Sequence, residues 1–147
     1  MKINFYGKFL KNEKIALNDA LDIFEHFFPL NNNIFVELHS INKTESKALN
    51  IKYFKKNHST DVITLPIFKD YKNLLESNLN EDVVLGDIFI SKEDLKINAK
   101  KYEKSLIEEL QLVLVHGLLH LLGFSHKQET KLKTYEEKIL SKLWNER

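Results

Sequence analysis

Apolar positions recur along this chain at two different periods, and the change of period divides it into strand-like and helix-like segments. Lys2 to Tyr6 has the length and composition of a short strand. From Ala16 onward, Leu17, Ala20, Leu21, Phe24, Phe27 and Phe28 return at helical spacing. They predict an amphipathic helix that stops at Pro29, because a proline there lacks the N–H and clashes with the preceding turn. Asn33 to Ile41 alternates and is rich in β-branched and aromatic residues, which predicts a strand. Thr44 to Tyr53 returns to helix formers, with Thr44 placed to cap them. Asp61 to Ile67 reads as a strand whose Pro66 belongs at its end or at a sheet edge. Phe68 to Asp82 is polar and reads as loop. Val83 to Ser91 is a further strand, in which Gly86 marks a bulge or a close backbone approach.

Everything after Lys92 reads as helix, with one break at Gly123 to Ser125. Leu106 to Leu122 is apolar on nearly every face, the pattern of a helix buried in the middle of a domain. The closing segment carries Leu132, Tyr135, Ile139, Leu140 and Leu143 on one stripe, so it is an amphipathic helix that completes the fold. Strands concentrated early and helices late predict an α+β fold: a single mixed sheet of about four strands packed with about five helices. No repeat and no Pro/Gly/Ser-rich linker divides residues 1–147, so one domain is expected.

Composition narrows the chemistry. Of 147 residues, 43% are hydrophobic and 29% charged, which are globular values. The chain has no cysteine, so disulfides, thiolate ligands and cysteine nucleophiles are excluded, and any metal must be held by His, Asp or Glu. The N-terminal residues do not read as a secretory signal, and the longest apolar run is well short of the ~20 residues of a membrane span, so a cytoplasmic location and no membrane partner are expected. A net charge of +1 makes no global electrostatic case for nucleic acid, and none for DNA. A local basic patch would have to serve, either Lys52, Lys55, Lys56 and His58, or Lys92, Lys96, Lys100, Lys101 and Lys104. Interleaved acids make the second group read as a solvated helix face.

The chemistry concentrates in HGLLHLLGFSH, residues 116–126. His116 and His120 are four apart, so on a helix both imidazoles leave the same face within reach of one cation. Gly123 stands where a left-handed residue ends a helix and turns the chain back, which brings His126 toward the same point as a third ligand. Three imidazoles leave a fourth tetrahedral position open, the arrangement of a catalytic zinc, and such an ion generates a nucleophile from water near neutral pH. Hydrolysis is the reaction class expected. The alternative is a pair of core histidines bonded to backbone. The spacing is that of the zinc-protease pattern HExxHxxGxxH, but position 117, where that pattern has its general base, holds Gly117.

These residues resemble the YbeY family, bacterial rRNA maturation factors described as single-strand-specific, metal-dependent endoribonucleases. The family signature H-G-x-L-H-L-x-G-[YF]-D-H is matched except before the last histidine, where this chain has Ser125. Upstream, LNIKYFKKNHSTDVITLPI and LGDIFIS resemble two further family blocks in the same order. The resemblance implies one zinc ion on His116, His120 and His126, a zincin-like site on the central helix. It also implies action on single-stranded RNA in 16S rRNA 3′-end processing and ribosome maturation, with the ribosome or its small subunit as partner. It places Thr60, Asp61, Gly86 and Asp87 in strands beside the cleft. Phe54 stands where the family usually has an arginine suited to hold phosphate in a bidentate fork, so either Lys55 or Lys56 supplies that charge from the next positions or activity is weaker than the resemblance implies.

Other residues have competing readings. His58 is a candidate phosphate contact. Asp61, Asp87 and Ser125 are candidates to orient ligands or water, although either aspartate could instead cap or turn the chain. Tyr53, Phe54 and Phe68 could stack on bases, but core packing is the commoner fate of such aromatics. His26 and His39 read as surface or hydrogen-bonded structural histidines. Two rival functions stand beside the nuclease: a zinc metallopeptidase-like hydrolase, which needs a carboxylate such as Asp61 or Asp87 near the metal, and a ribosome-docking factor with a structural metal.

Overall fold

The computed structural model describes residues 1–76 and 80–145, and for His126 the backbone alone. Among these residues four strands form one sheet: β1 (Lys2–Tyr6), β2 (Ile34–Ile41), β3 (Val62–Pro66) and β4 (Val83–Ser91), in the order β1-β2-β4-β3. The first three positions are parallel and β3 runs antiparallel at the edge, so the sheet is mixed. Pro66 ends β3, where its missing N–H breaks no interior ladder. Gly86 adjoins a bulge: the register shifts between Phe35 and Val36, and Leu85 is the additional residue on β4. A Cβ on Gly86 would stand 2.5 Å from the Leu65 carbonyl oxygen, so close strand approach demands glycine there.

Among the described residues six helices accompany the sheet, where about five were expected: α1 (Lys11–Phe27), α2 (Lys43–Phe54), α3 (Tyr71–Glu76), α4 (Lys92–Lys101), α5 (Leu106–Leu121) and α6 (Glu129–Asn145), with a 3-10 turn at His126–Gln128. The additional one, α3, lies in the segment expected to be loop. Asp70 caps it by accepting the Asn73 N–H at 2.8 Å, and Leu74 is fully buried beneath it. The cap of α2 is Asn42 rather than Thr44. Its side chain accepts the Glu45 N–H at 2.8 Å while the Glu45 carboxylate accepts the Asn42 N–H at 3.3 Å, a reciprocal box that starts the helix earlier. α1 starts at Lys11 rather than near Ala16, since Glu13 accepts the Leu10 N–H at 2.8 Å and also receives Lys92 at 2.7 Å. That ion pair removes Lys92 from the solvated face expected of α4. The helical run after Lys92 has a second break, at residues 102–105, with Glu103 at a φ of 54° and the Ser105 hydroxyl accepting the Glu108 N–H at 3.0 Å.

The core explains why α5 is so apolar. It packs on β3 and β4 and is flanked by α1, α4 and α6. Leu110, Leu114, Val115, Leu118, Leu119 and Leu121 are all 0% exposed. At roughly 1.5–3 kcal/mol for each fully buried aliphatic side chain, this burial outweighs local helix propensity and fixes the helix axis, and with it the direction of every side chain that α5 carries. Among the described residues, no helix is long and apolar enough to cross a membrane.

Candidate metal centre and cleft

His116 and His120 project from one face of α5, one turn apart. Their rings meet edge to face, with centroids 4.6 Å apart, and the two Nε2 atoms approach to 3.0 Å. The other nitrogen of His116 is already committed, because Nδ1–H donates to Glu136 Oε1 at 2.9 Å. A carboxylate only accepts, so the proton sits on Nδ1 and the Nε2 lone pair is turned toward His120. Glu136 comes from α6 and is itself mostly buried, at 15% side-chain exposure. It occupies the place of a partner that orients a ligating imidazole and raises its basicity.

This donor set fits a borderline-soft divalent cation such as zinc. Two imidazole nitrogens converge on one point, and an acidic partner stands behind the first. Between the histidines, a Cβ on Gly117 would lie 2.9 Å from Ile88 Cδ1 and 3.1 Å from Thr64 Cγ2, so α5 rests directly on the sheet at this level. The position that carries glutamate in the protease pattern therefore faces the sheet and has no room for one.

Gly123 makes the turn after α5. Its φ is +99°, and its N–H donates to the His120 carbonyl oxygen at 2.9 Å. The loop before α3 crosses it so closely that a Cβ would stand 2.7 Å from Asp70 Cα. The chain then enters the 3-10 turn that begins at His126. The side chain of His126, and with it the third-ligand assignment and the zincin-like geometry, lies outside the described residues. Among the described residues, no three His, Asp or Glu side chains form a metal-holding group.

The histidines open onto a cleft of about 600 Å³ whose walls include Phe54, Lys56, His58, Asp61, Lys69 and Ser125, together with Thr60, Thr64 and Phe124. Lys56, His58, Asp61 and Ser125 are thus brought together with the two histidines. Lys55 is not among the residues that line the cleft; it forms the left-handed C-cap of α2, at φ 56°. Asp61 is engaged, since its carboxylate accepts from Asn98 Nδ2 at 2.9 Å and ties the start of β3 to α4.

Asp87 is elsewhere. Gly86 and Ile88 face α5, so the pleat turns Asp87 to the opposite sheet face, where it accepts from His39 Nε2 at 2.8 Å. Gly86 adjoins Pro66 in the cleft wall, neither Gly86 nor Asp87 is itself among the residues that line the cleft, and His39 is the hydrogen-bonded structural histidine expected. Phe68 packs partly buried against the core, whereas Tyr53 and Phe54 are 47% and 46% exposed.

Two residues of the site escaped the sequence reading. Lys69 adds a cation to the cleft from the β3–α3 connection. Glu136 lies on the apolar stripe of α6, four residues after Leu132 and four before Leu140, and a carboxylate on a buried stripe is the signal that marks it. One acidic residue on α5 is also unusual. Glu109, two turns before His116, is 2% exposed, and its Oε1 has no hydrogen-bond partner among the described residues. Burial pushes its pKa above the usual carboxylate value, against the opposing pull of Lys104.

Comparison with known proteins places this arrangement. A family model described as Endoribonuclease YbeY matches residues 8–144. Among curated relatives, Endoribonuclease YbeY of Prochlorococcus marinus is 33% identical over 133 residues, 88% of this chain and 72% of that protein. The protein of the same name from Malacoplasma penetrans is 33% identical over 127 residues, 86% and 80% of the two chains. That of Phytoplasma australiense is 37% identical over 125 residues, 82% and 83%. A Thermotoga maritima protein solved in solution superposes with a TM-score of 0.68 at 23% identity, covering 98% of this chain and 90% of that one, and shares the fold. On the match to residues 8–144 and these identities, the chain belongs to the endoribonuclease YbeY family.

Proposed function

We propose that the protein is a metal-dependent endoribonuclease that cuts single-stranded RNA, with 16S ribosomal RNA maturing at its 3′ end as substrate and the small ribosomal subunit as the setting. The relatives carry the name endoribonuclease, and the observation on which the reading rests is the 3.0 Å approach of His116 Nε2 and His120 Nε2 at the floor of a cleft rimmed by cations. One zinc ion is assigned to His116, His120 and His126. When bound, such an ion acidifies water and draws charge from a phosphoryl oxygen.

The chain's own groups do the rest. Glu136 holds the Nδ1 proton of His116, which keeps Nε2 free to ligate and prevents the ring from turning over. Lys56 and Lys69 offer donors and positive charge to phosphate oxygens, and His58 a ring nitrogen, in the cleft where a guanidinium is missing from position 54. Thr60, Asp61 and Ser125 supply polar contacts along the wall, with Asp61 held in place by Asn98. A peptidase reading is weaker, since Gly117 abuts the sheet and the Asp61 carboxylate is already bonded.

Incubation of zinc-loaded protein with single-stranded RNA, duplex RNA and an unstructured protein, beside a chelated control, tests the proposal. Cleavage of single-stranded RNA alone, abolished by the chelator, is the expected result. Proteolysis would substitute the peptidase reading, and cleavage of nothing would leave a docking factor.

A further inference from the structure

Phe54 has the features of a ligand-contacting residue rather than a packing one. It is the last residue of α2, it is 46% exposed, and it lines the same cleft as His116 and His120. A large aromatic on a helix end ordinarily turns into the core, where it would contribute a few kcal/mol. Here the adjoining buried positions of α2 are taken by Ser46 and Asn50, both polar, and Phe54 is left at the rim.

The ring is also mounted on a rigid support. The Lys55 N–H donates to the Ile51 carbonyl oxygen at 3.1 Å and the Lys56 N–H to that of Asn50 at 3.2 Å, so the last turn of α2 is closed by a left-handed cap. Asn50, 4% exposed, donates from Nδ2 to the His58 carbonyl oxygen at 2.9 Å and pins the loop that carries Lys56 and His58. The backbone that carries Phe54, Lys56 and His58 is therefore held in one fixed frame. The cleft thus offers an apolar π-surface at its edge and donors for phosphate alongside, the combination that sequence-tolerant single-strand binders use.

We infer that Phe54 is a base-stacking ledge: one unpaired nucleobase of the substrate lies on its ring while the adjoining phosphates meet Lys56 and Lys69. The inference rests on the proposed action on RNA and adds the means of selecting single strands. In a duplex each base is already stacked, and extruding one costs a few kcal/mol before Phe54 can be reached. An unpaired base reaches it at no such cost. Where a guanidinium at this position would grip phosphate, the ring contributes an attraction that does not depend on salt.

Steady-state cleavage of a single-stranded RNA by zinc-loaded wild type, Phe54→Ala, Phe54→Leu and Phe54→Trp tests the assignment. Stacking lost from one base raises KM by about 5- to 100-fold in Phe54→Ala. Phe54→Leu, which keeps apolar bulk without a π-face, shows the same rise, and Phe54→Trp restores wild-type KM. The slope of log KM against log salt stays unchanged in all three, since no phosphate contact is removed. Wild-type KM in Phe54→Leu, or a Phe54→Trp enzyme as weak as Phe54→Ala, overturns the ledge while leaving the nuclease reading intact. A wild-type protein that cuts no single-stranded RNA overturns both.

Discussion

A histidine serves a metal well only when its second nitrogen is occupied, because the bond made there fixes both the tautomer and the ring plane. His116 meets that condition through Glu136 at 2.9 Å. Glu136→Gln retains a weak acceptor and removes the charge; a loss of metal affinity of about 10-fold is expected, approaching 100-fold in Glu136→Ala. Competition with a chromophoric chelator measures it. Glu109 calls for a different experiment. Its folded-state pKa lies above the ordinary value because burial penalises the ionised form. Its contribution to stability is therefore greatest below the unfolded-state pKa and is lost as the pH rises through the folded-state value. Glu109→Gln should raise Tm relative to wild type at pH 7, and the gain should shrink to nothing as the pH falls below the usual carboxylate range, which thermal melts across pH will show.

At the scale of elements, the site is a consequence of where α5 lies and how it ends. Gly123 permits the end: its φ of +99° and the 2.7 Å approach of Asp70 Cα leave no room for a side chain. Gly123→Ala should cost about 1–3 kcal/mol, or several degrees in Tm, and should weaken metal binding as well because the chain that follows is displaced. Differential scanning calorimetry with and without zinc separates the two effects, and an unchanged Tm would contradict the structural role.

The helix, its histidine pair and its glycine terminus were legible in residues 106–123, since each depends on spacing within one element. Glu136 was not, because nothing local sets the distance between α5 and α6; only packing does. The cap of α2 was misplaced for a related reason. Asn42 and Thr44 both suit the role, and the choice is made by the reach of Glu45 back to the Asn42 N–H.

For the molecule as a whole, the sheet and its helix layer were largely legible. β1 and β4 have the bounds expected from the sequence, and Pro66 sits where an edge strand ends. What the pattern did not carry was which strand lies beside which. The family resemblance put Asp87 beside the cleft, yet the two-residue period of β4 sends its side chain to the far face and to His39. Lys69 and Phe54 become cleft residues only because the α2–β3 and β3–α3 connections converge over the C-terminal end of α5. That convergence makes one face of the molecule both basic and aromatic despite a net charge of only +1. Binding to single-stranded RNA should weaken with salt by the slope of the few phosphates it contacts, rather than with the steep dependence of a strongly basic protein. Fluorescence anisotropy of a labelled oligonucleotide over a salt series measures that slope.

The most direct test is to titrate zinc into metal-free protein while following cleavage of a single-stranded RNA. Cleavage that rises in proportion to added zinc and levels off at one equivalent per chain, with no such rise in His120→Ala, is the predicted result. Cleavage by the metal-free protein, or an undiminished response in His120→Ala, would contradict it.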